Sequence, residues 1–123
     1  MVLHANLRKI QTVQHWADHL GVTRSSLSRL LKVYANQTPL EMMRRVRYNT
    51  IVDLIESYPD IKSYAAAQEC GLMDEKALYK FLKKYYDISF TELRHKTLLD
   101  LEVRKNFEDG ATNGIQSIHY RYR

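Results

Sequence analysis

The feature that most constrains the fold of this chain is an internal repeat. Ala17 precedes Gly21 by four residues, as Ala67 precedes Gly71. The match continues after each glycine, where Leu27, Leu31, Lys32, Thr38 and Glu41 correspond to Leu78, Leu82, Lys83, Ser89 and Glu92. The offset is 50 residues up to the glycine and 51 after it, so the second turn carries one inserted residue. Two copies of a helix–short turn–helix unit are therefore predicted, with a long helix between them.

Helix signals along both copies predict an all-α protein. Glycine and proline are scarce, at four and two residues, and apolar residues recur every three to four positions. The candidate N-caps are Thr12, Thr23, Thr38, Asp74 and Ser89. Thr38 and Ser89 each have a glutamate three residues later, which is the capping-box spacing, and Pro39 occupies a first helical position. The predicted helices span about 13–20, 24–34, 39–58, 61–70 and 75–86, and a last helix begins after Ser89.

This plan divides the chain into five segments. They are a short N-terminal segment (1–11), the first helix-turn-helix (12–38), a linker helix (39–58), the second helix-turn-helix with its closing helix (59–96), and a C-terminal extension (97–123). Within the extension, "EDGATNG" predicts a loop. The following "IQSIHYRYR" alternates apolar with polar residues, a pattern that suits a strand, an extended arm on DNA or a partner, or disorder.

The second helix of each unit has an inward and an outward face. The predicted inward residues are Leu27, Leu30, Leu31 and Tyr34 in the first unit, and Leu78, Phe81, Leu82 and Tyr85 in the second. The outward residues are Arg24, Ser25, Ser28, Arg29 and Lys32 in the first unit, and Glu75, Lys76, Tyr79, Lys80 and Lys83 in the second. Both outward faces are basic, and both carry hydrogen-bonding side chains near the start of the helix.

A glycine turn with a small residue four positions earlier is typical of the DNA-binding helix-turn-helix, whose second helix enters the major groove. The ten outward residues are therefore candidate DNA-binding residues, since Arg and Lys pair with guanine and Glu accepts from cytosine. The same pattern also builds purely structural helix pairs, whose outward faces are simply solvated. The similar polarity of the two copies favours DNA binding.

Charge and length support this interpretation. The formal net charge is +5 and the pI is about 9.4, and the basic residues cluster in 22–48 and 76–84. A linker helix over 39–58 is about 30 Å long. Successive major-groove faces on one side of B-DNA lie about 34 Å apart, so one chain could place two helices in adjacent grooves.

Several other classes of protein find no support in the sequence. The single Cys70 excludes an internal disulfide and a cysteine-rich zinc finger, and its place before Gly71 predicts a buried structural thiol. His15 and His19 have a spacing that can bind metal, but no third ligand is evident. Neither a nucleotide-binding loop nor a nucleophile with a neighbouring base is present, so no enzyme activity, metal or cofactor is predicted. Without a membrane-spanning or secretory segment, the expected location is the cytoplasm, at the nucleoid.

The motifs "LGVTRSSLSRLLK", "TPLEMMRRVR", "AAQECGLMDEKALYKFLKK" and "DISFTELR" resemble the AraC/XylS family of bacterial transcription regulators. The resemblance covers about residues 12–96. The matching positions are Gly21, Thr23, Leu27, Lys32, Pro39 and Arg47 in the first unit, and Ala67, Gly71, Lys83 and Arg94 in the second. Leucines replace the family's phenylalanines at Leu31, Leu72, Leu78 and Leu82, while Asn36 and Asp87 stand for glycines and Phe90 for a proline. These exchanges mark a divergent member.

The resemblance implies a DNA-binding domain of about seven helices in two subdomains, which usually activates transcription and commonly contacts RNA polymerase. It places base contacts on Ser25, Ser28 and Arg29, and on Glu75, Lys76, Tyr79 and Lys80. Phosphate contacts would involve Arg24, Lys32, Lys83 and the helix N-termini at Thr23 and Asp74. The separate ligand-binding or dimerisation domain of most members has no counterpart here, which suits a free-standing regulator or a piece of a larger one. The oligomeric state stays open.

The exchanges at Leu72, Asp87 and Phe90 also suit a second function, a helical protein-interaction adaptor that has lost specific DNA binding.

Overall fold

The structure is a computed structural model that describes residues 7–110, with side chains as far as Glu108. Within this range the chain forms six helices and no strand, so the all-α prediction is confirmed. The helices are α1 (Val13–Leu20), α2 (Arg24–Ala35), α3 (Pro39–Ser57), α4 (Ser63–Glu69), α5 (Glu75–Tyr86) and α6 (Phe90–Gly110).

Side-chain caps begin the helices as the sequence predicts. The Thr12 hydroxyl accepts from the His15 N–H, and the Thr23 hydroxyl accepts from the Ser26 N–H, both at 3.0 Å. The two capping boxes are complete. The Glu41 N–H donates to Thr38 Oγ1 at 3.1 Å and the Thr38 N–H donates to Glu41 Oε1 at 2.9 Å; Ser89 and Glu92 form the same pair of bonds. These bonds lower the pKa of both glutamates. The largest effect comes from the hydrogen bond that each carboxylate accepts from the backbone N–H of Thr38 or Ser89.

The hydrophobic core forms around α3, which packs against α1, α2, α4 and α6. Ile51 and Ile55 on α3 are fully buried, as are Ala17 of the first unit and Ala67 and Leu82 of the second. The core therefore joins both helix-turn-helix units into one cluster through the linker helix.

Arginine side chains tie the second unit to its neighbours. Arg47 Nε, on α3, donates to the Cys70 carbonyl at 2.9 Å, and burial lowers the pKa of its guanidinium. Arg94, on α6, donates to the carbonyls of Pro59 and Ile61, in the segment between α3 and α4. Hydrogen bonds from charged donors contribute about 1.5–3 kcal/mol each. The two arginines thus fix how α3, α4 and α6 meet.

The N-terminal segment packs directly on the turn of the second unit. Leu7 and Ile10 are each only 2% exposed and belong to the core. A Cβ added to Gly71 would overlap the carbonyl oxygen of Leu7, so the absence of a side chain at Gly71 lets the two backbones touch.

Three of the eight predicted inward residues are exposed instead. Leu30 is 47% exposed, Tyr34 is 82% exposed and Tyr85 is 41% exposed, so their predicted burial is wrong. On α2 only Leu27 is fully buried, while Leu31 is partly buried against the core. The Tyr85 ring instead lies beneath the guanidinium of Arg44, 4.1 Å from its centroid.

The last helix is longer than the sequence indicates. α6 continues past residue 96 to Gly110, so residues 108–110, the start of the predicted "EDGATNG" loop, are helical. The segment "IQSIHYRYR", predicted as a strand, an arm or disorder, lies outside the described residues.

Candidate nucleic-acid interface

The two turns have the same backbone geometry. Gly21 and Gly71 have φ angles of 73° and 83°, in the left-handed region that favours glycine. In the first turn the Val22 N–H donates to the Ala17 carbonyl at 3.0 Å. In the second the Leu72 N–H donates to the Ala67 carbonyl at 2.9 Å, at the equivalent position. The repeat found in the sequence is therefore also a repeat in hydrogen bonding.

The helices that follow the turns, α2 and α5, end alike as well. Asn36 and Asp87 both adopt a φ of 52°, a conformation that Asn and Asp tolerate better than most residues. Each donates its N–H to the carbonyl of the lysine four positions earlier, Lys32 or Lys83. Glycine is therefore not needed at these two caps, which explains how the family pattern holds without it.

All ten predicted DNA-binding residues are exposed, five on each helix. On α2 and on α5 they occupy the same register, at positions i, i+1, i+4, i+5 and i+8, which lie on one helix face. Leu27 and Leu78 occupy the opposite face and are buried. Six of the ten residues are basic, and Glu75 is the single acid. Each helix thus presents one polar, mainly basic face to solvent.

Two of these residues have partners on the protein. The Glu75 carboxylate accepts a hydrogen bond from the hydroxyl of Ser63, the first residue of α4. Lys83 Nζ lies 3.2 Å from Asp87 Oδ1, and the hydrogen bond to this carboxylate raises the pKa of the lysine. The Lys83 pair is exposed on both sides and contributes little to stability, so its lysine can exchange Asp87 for another anion.

Arg44 and Arg45 on α3 and Ser63 on α4 are not among the residues predicted from the sequence. Both arginines belong to the basic cluster 22–48. The cluster predicts a positively charged region of the chain, but it does not predict where each side chain lies in the fold. Their place in a cleft between the units, and the contact of Ser63 with Glu75, depend on long-range packing that no local pattern contains.

The remaining candidate groups do not form a site. Cys70 is buried, and burial raises the pKa of its thiol to about 12, so the predicted structural thiol is confirmed as buried and is inert. Among residues 7–110, no three His, Cys, Asp or Glu side chains come together as a possible metal site. None of the helices in that range is both long and apolar enough to span a membrane.

Comparison with known proteins agrees with this architecture. A family model described as a helix-turn-helix domain matches residues 16–96. No curated protein sequence matches the chain. A crystal structure of a transcriptional regulator from Chromobacterium violaceum, described among AraC-type DNA-binding domain-containing proteins, resembles this fold with a TM-score of 0.64 at 21% identity. The likeness covers 78% of this chain and 85% of that one. The matched family model and the doubled helix-turn-helix show that the chain belongs to the AraC-type family of helix-turn-helix transcription regulators.

Proposed function

We propose that the chain binds double-stranded DNA sequence-specifically and regulates transcription, with α2 and α5 inserted into adjacent major grooves. The observation that carries this proposal is the shared register of the two exposed faces. Because both helices follow the same glycine turn and present side chains at the same five positions, each can enter a groove in the same way.

The residues of each face divide into two roles. Ser25, Ser28 and Arg29 on α2 contact base edges, and so do Glu75, Lys76, Tyr79 and Lys80 on α5. Arg24, Lys32 and Lys83 contact phosphates at the margins of the faces, since contacts to the backbone fix position rather than sequence. The capped N-termini of α2 and α5, at Thr23 and Asp74, offer further N–H groups to phosphates.

The linker helix α3 supplies the spacing between the two faces. It has 19 residues and is therefore about 28 Å long, close to the roughly 34 Å between successive major-groove faces. Arg47 and the stacked rings of Tyr48 and Tyr86, whose centroids are 3.9 Å apart, hold α3 to the second unit. A site of two different half-sites, without palindromic symmetry, follows from one chain carrying both helices.

The expected location is the cytoplasm, at the nucleoid, and RNA polymerase is the expected protein partner. Exposed apolar side chains on the last turns of α2, at Leu30, Val33 and Tyr34, support a protein contact. The same residues favour the second candidate function, an adaptor that binds a protein and no specific DNA.

Binding to promoter fragments and to random duplex across a range of salt tests the proposal. We expect a preference for specific sites of about 10³-fold or more, with affinity that falls steeply as salt rises, because basic residues displace counterions from DNA. Equal affinity for all duplexes would exclude sequence-specific binding. Retention of a protein partner without salt-dependent DNA binding would support the adaptor.

Replacing Ser63 by alanine is expected to relax base preference at one position of the site. The Ser63 hydroxyl holds one carboxylate oxygen of Glu75 and thereby orients the group that accepts from cytosine. Losing one such bond should reduce discrimination at that position about two- to tenfold. Selection from randomised duplexes measures it, with Ser57→Ala, at the end of α3, as the matched control. An unchanged preference in Ser63→Ala would show that Ser63 has no part in positioning Glu75.

A further inference from the structure

A polar cleft of about 350 Å³ lies beside α3 between the two helix-turn-helix units. Gln37, just after α2, contributes one wall, and Tyr86, the last residue of α5, contributes another. Arg44, Arg45 and Asn49 of α3 also line the cleft. The volume is that of a small-molecule site, and its walls come from the C-terminal ends of both α2 and α5.

The cleft holds more positive charge than its neighbours neutralise. Neither Arg44 nor Arg45 forms an ion pair within the described range. The one acidic residue lining the cleft, Glu41, keeps its negative charge while it accepts from the Thr38 N–H, so it offsets only one of the two arginine charges. The guanidinium carbon of Arg44 lies 4.1 Å from the centroid of the Tyr85 ring. A guanidinium in contact with an aromatic ring can still donate its N–H groups to another acceptor. Together, Arg44 and Arg45 supply the charged N–H donors that a bound oxyanion requires.

The cleft also has acceptors without donors. Gln37 Oε1 and Asn49 Oδ1 are buried and have no hydrogen-bond partner among the described residues. Leaving a buried carbonyl oxygen unpaired is unfavourable, so a ligand that supplies an N–H or O–H to either oxygen gains binding energy. The cleft therefore combines donors for an anion with acceptors for a donor group.

We propose that this cleft binds a small molecule that carries both an oxyanion, phosphate or carboxylate, and an amino or hydroxyl donor. The oxyanion binds Arg44 and Arg45, and the donor group binds the Gln37 or Asn49 oxygen. Because the walls belong to different units, an occupant fixes the spacing between α2 and α5. Occupancy therefore changes DNA affinity, and DNA changes ligand affinity by the same factor. Only this coupling rests on the proposed function; ligand binding itself does not.

A phosphate of the DNA backbone is the other source of an oxyanion. A phosphodiester offers acceptors only, so it leaves both carboxamide oxygens unpaired. A free small molecule with its own N–H or O–H can bind the arginines and also donate to a carboxamide oxygen. The cleft therefore favours a free small molecule over a DNA phosphate.

Calorimetric titration of the full chain without DNA tests the site with three probes: O-phosphoethanolamine, inorganic phosphate and ethanolamine. We expect O-phosphoethanolamine to bind at least about tenfold more tightly than inorganic phosphate, because only it also donates to the carboxamides. Ethanolamine, which lacks the anion, should not bind measurably. Equal binding of the phosphate and the amino phosphate would overturn the assigned ligand class.

Two variants place the binding in the cleft. Arg45→Gln, at an exposed position, should weaken O-phosphoethanolamine at least about tenfold, while Lys105→Gln, a charge-matched change on α6, should leave it unchanged. The double variant Gln37→Ala, Asn49→Ala removes both acceptors, so it should weaken O-phosphoethanolamine but not inorganic phosphate. Identical losses in Arg45→Gln and Lys105→Gln would overturn the site.

The salt dependence of DNA binding separates the two sources of the oxyanion. If the cleft holds a free molecule, Arg45→Gln leaves the slope of log affinity against log salt unchanged. A slope reduced by about one, together with no binding of O-phosphoethanolamine, would assign the cleft to a DNA phosphate and overturn the proposal.

Discussion

Replacing Gly71 by alanine is expected to lower the free energy of unfolding by about 2.5–5 kcal/mol. The left-handed backbone at Gly71 costs an alanine about 1–2 kcal/mol. The added Cβ would also overlap the carbonyl oxygen of Leu7, so the N-terminal segment must move. Displacing Leu7, which is 2% exposed, loses about 1.5–3 kcal/mol of apolar burial. Thermal or denaturant unfolding of the full chain measures the loss.

Gly21 provides a matched control within the same molecule. Its φ angle is similar to that of Gly71, but nothing lies within 4 Å of a Cβ added there. Gly21→Ala should therefore show the conformational cost alone, about 1–2 kcal/mol. Equal losses in the two variants would mean that the N-terminal segment does not pack on the second turn.

A double-mutant cycle with Leu7→Ala separates strain from lost packing. If Gly71→Ala already displaces the N-terminal segment, removing the Leu7 side chain should cost less in that variant than in the parent chain. Contacting residues typically couple by about 0.5–3 kcal/mol. Strict additivity would indicate that the Gly71→Ala chain relaxes without moving Leu7.

Local chemistry explains why so much of the fold could be predicted from the sequence. Helix starts depend on caps within three residues, as at Thr38 with Glu41, and the structure forms these bonds. The turns depend on a glycine and on the alanine four residues earlier, which also are near neighbours in sequence. The same caps and turns occur in both copies of the repeat, so each prediction for one unit is supported by the equivalent residues of the other.

Features that depend on distant contacts could not be predicted. Helical spacing places Tyr34 on the same face as Leu27, yet whether that face is covered depends on where α3 lies. Tyr85 is 41% exposed, and the side chain over its ring is Arg44, about forty residues earlier, rather than an apolar neighbour. The packing of Leu7 on Gly71 and the cleft beside α3 likewise join segments that are far apart in sequence.

The outward faces are an intermediate case. Their register follows from helical periodicity, and the structure leaves all ten residues exposed. Both faces therefore meet the first requirement for DNA contact, and variants on each face measure its own contribution to binding.

The combined variant Arg29→Ala, Lys80→Ala is expected to show the largest effect on DNA binding. Each side chain is proposed to contact a base edge and should contribute about 1–3 kcal/mol. The two residues lie in different helix-turn-helix units, so their losses should add, which weakens the specific site at least about thirtyfold. Equilibrium binding to the selected duplex measures the loss, and each single variant supplies one term of the sum.

Footprints of the single variants decide whether both helices enter the same site. Arg29→Ala should weaken protection in one half-site and Lys80→Ala in the other, about one helical turn away. Lys105→Ala, which removes a charge from α6, controls for general electrostatics and should leave both half-sites protected. If both variants lose protection over the same bases, then α2 and α5 do not occupy separate grooves. In that case α3 would be a structural helix within a single binding unit rather than a spacer between two.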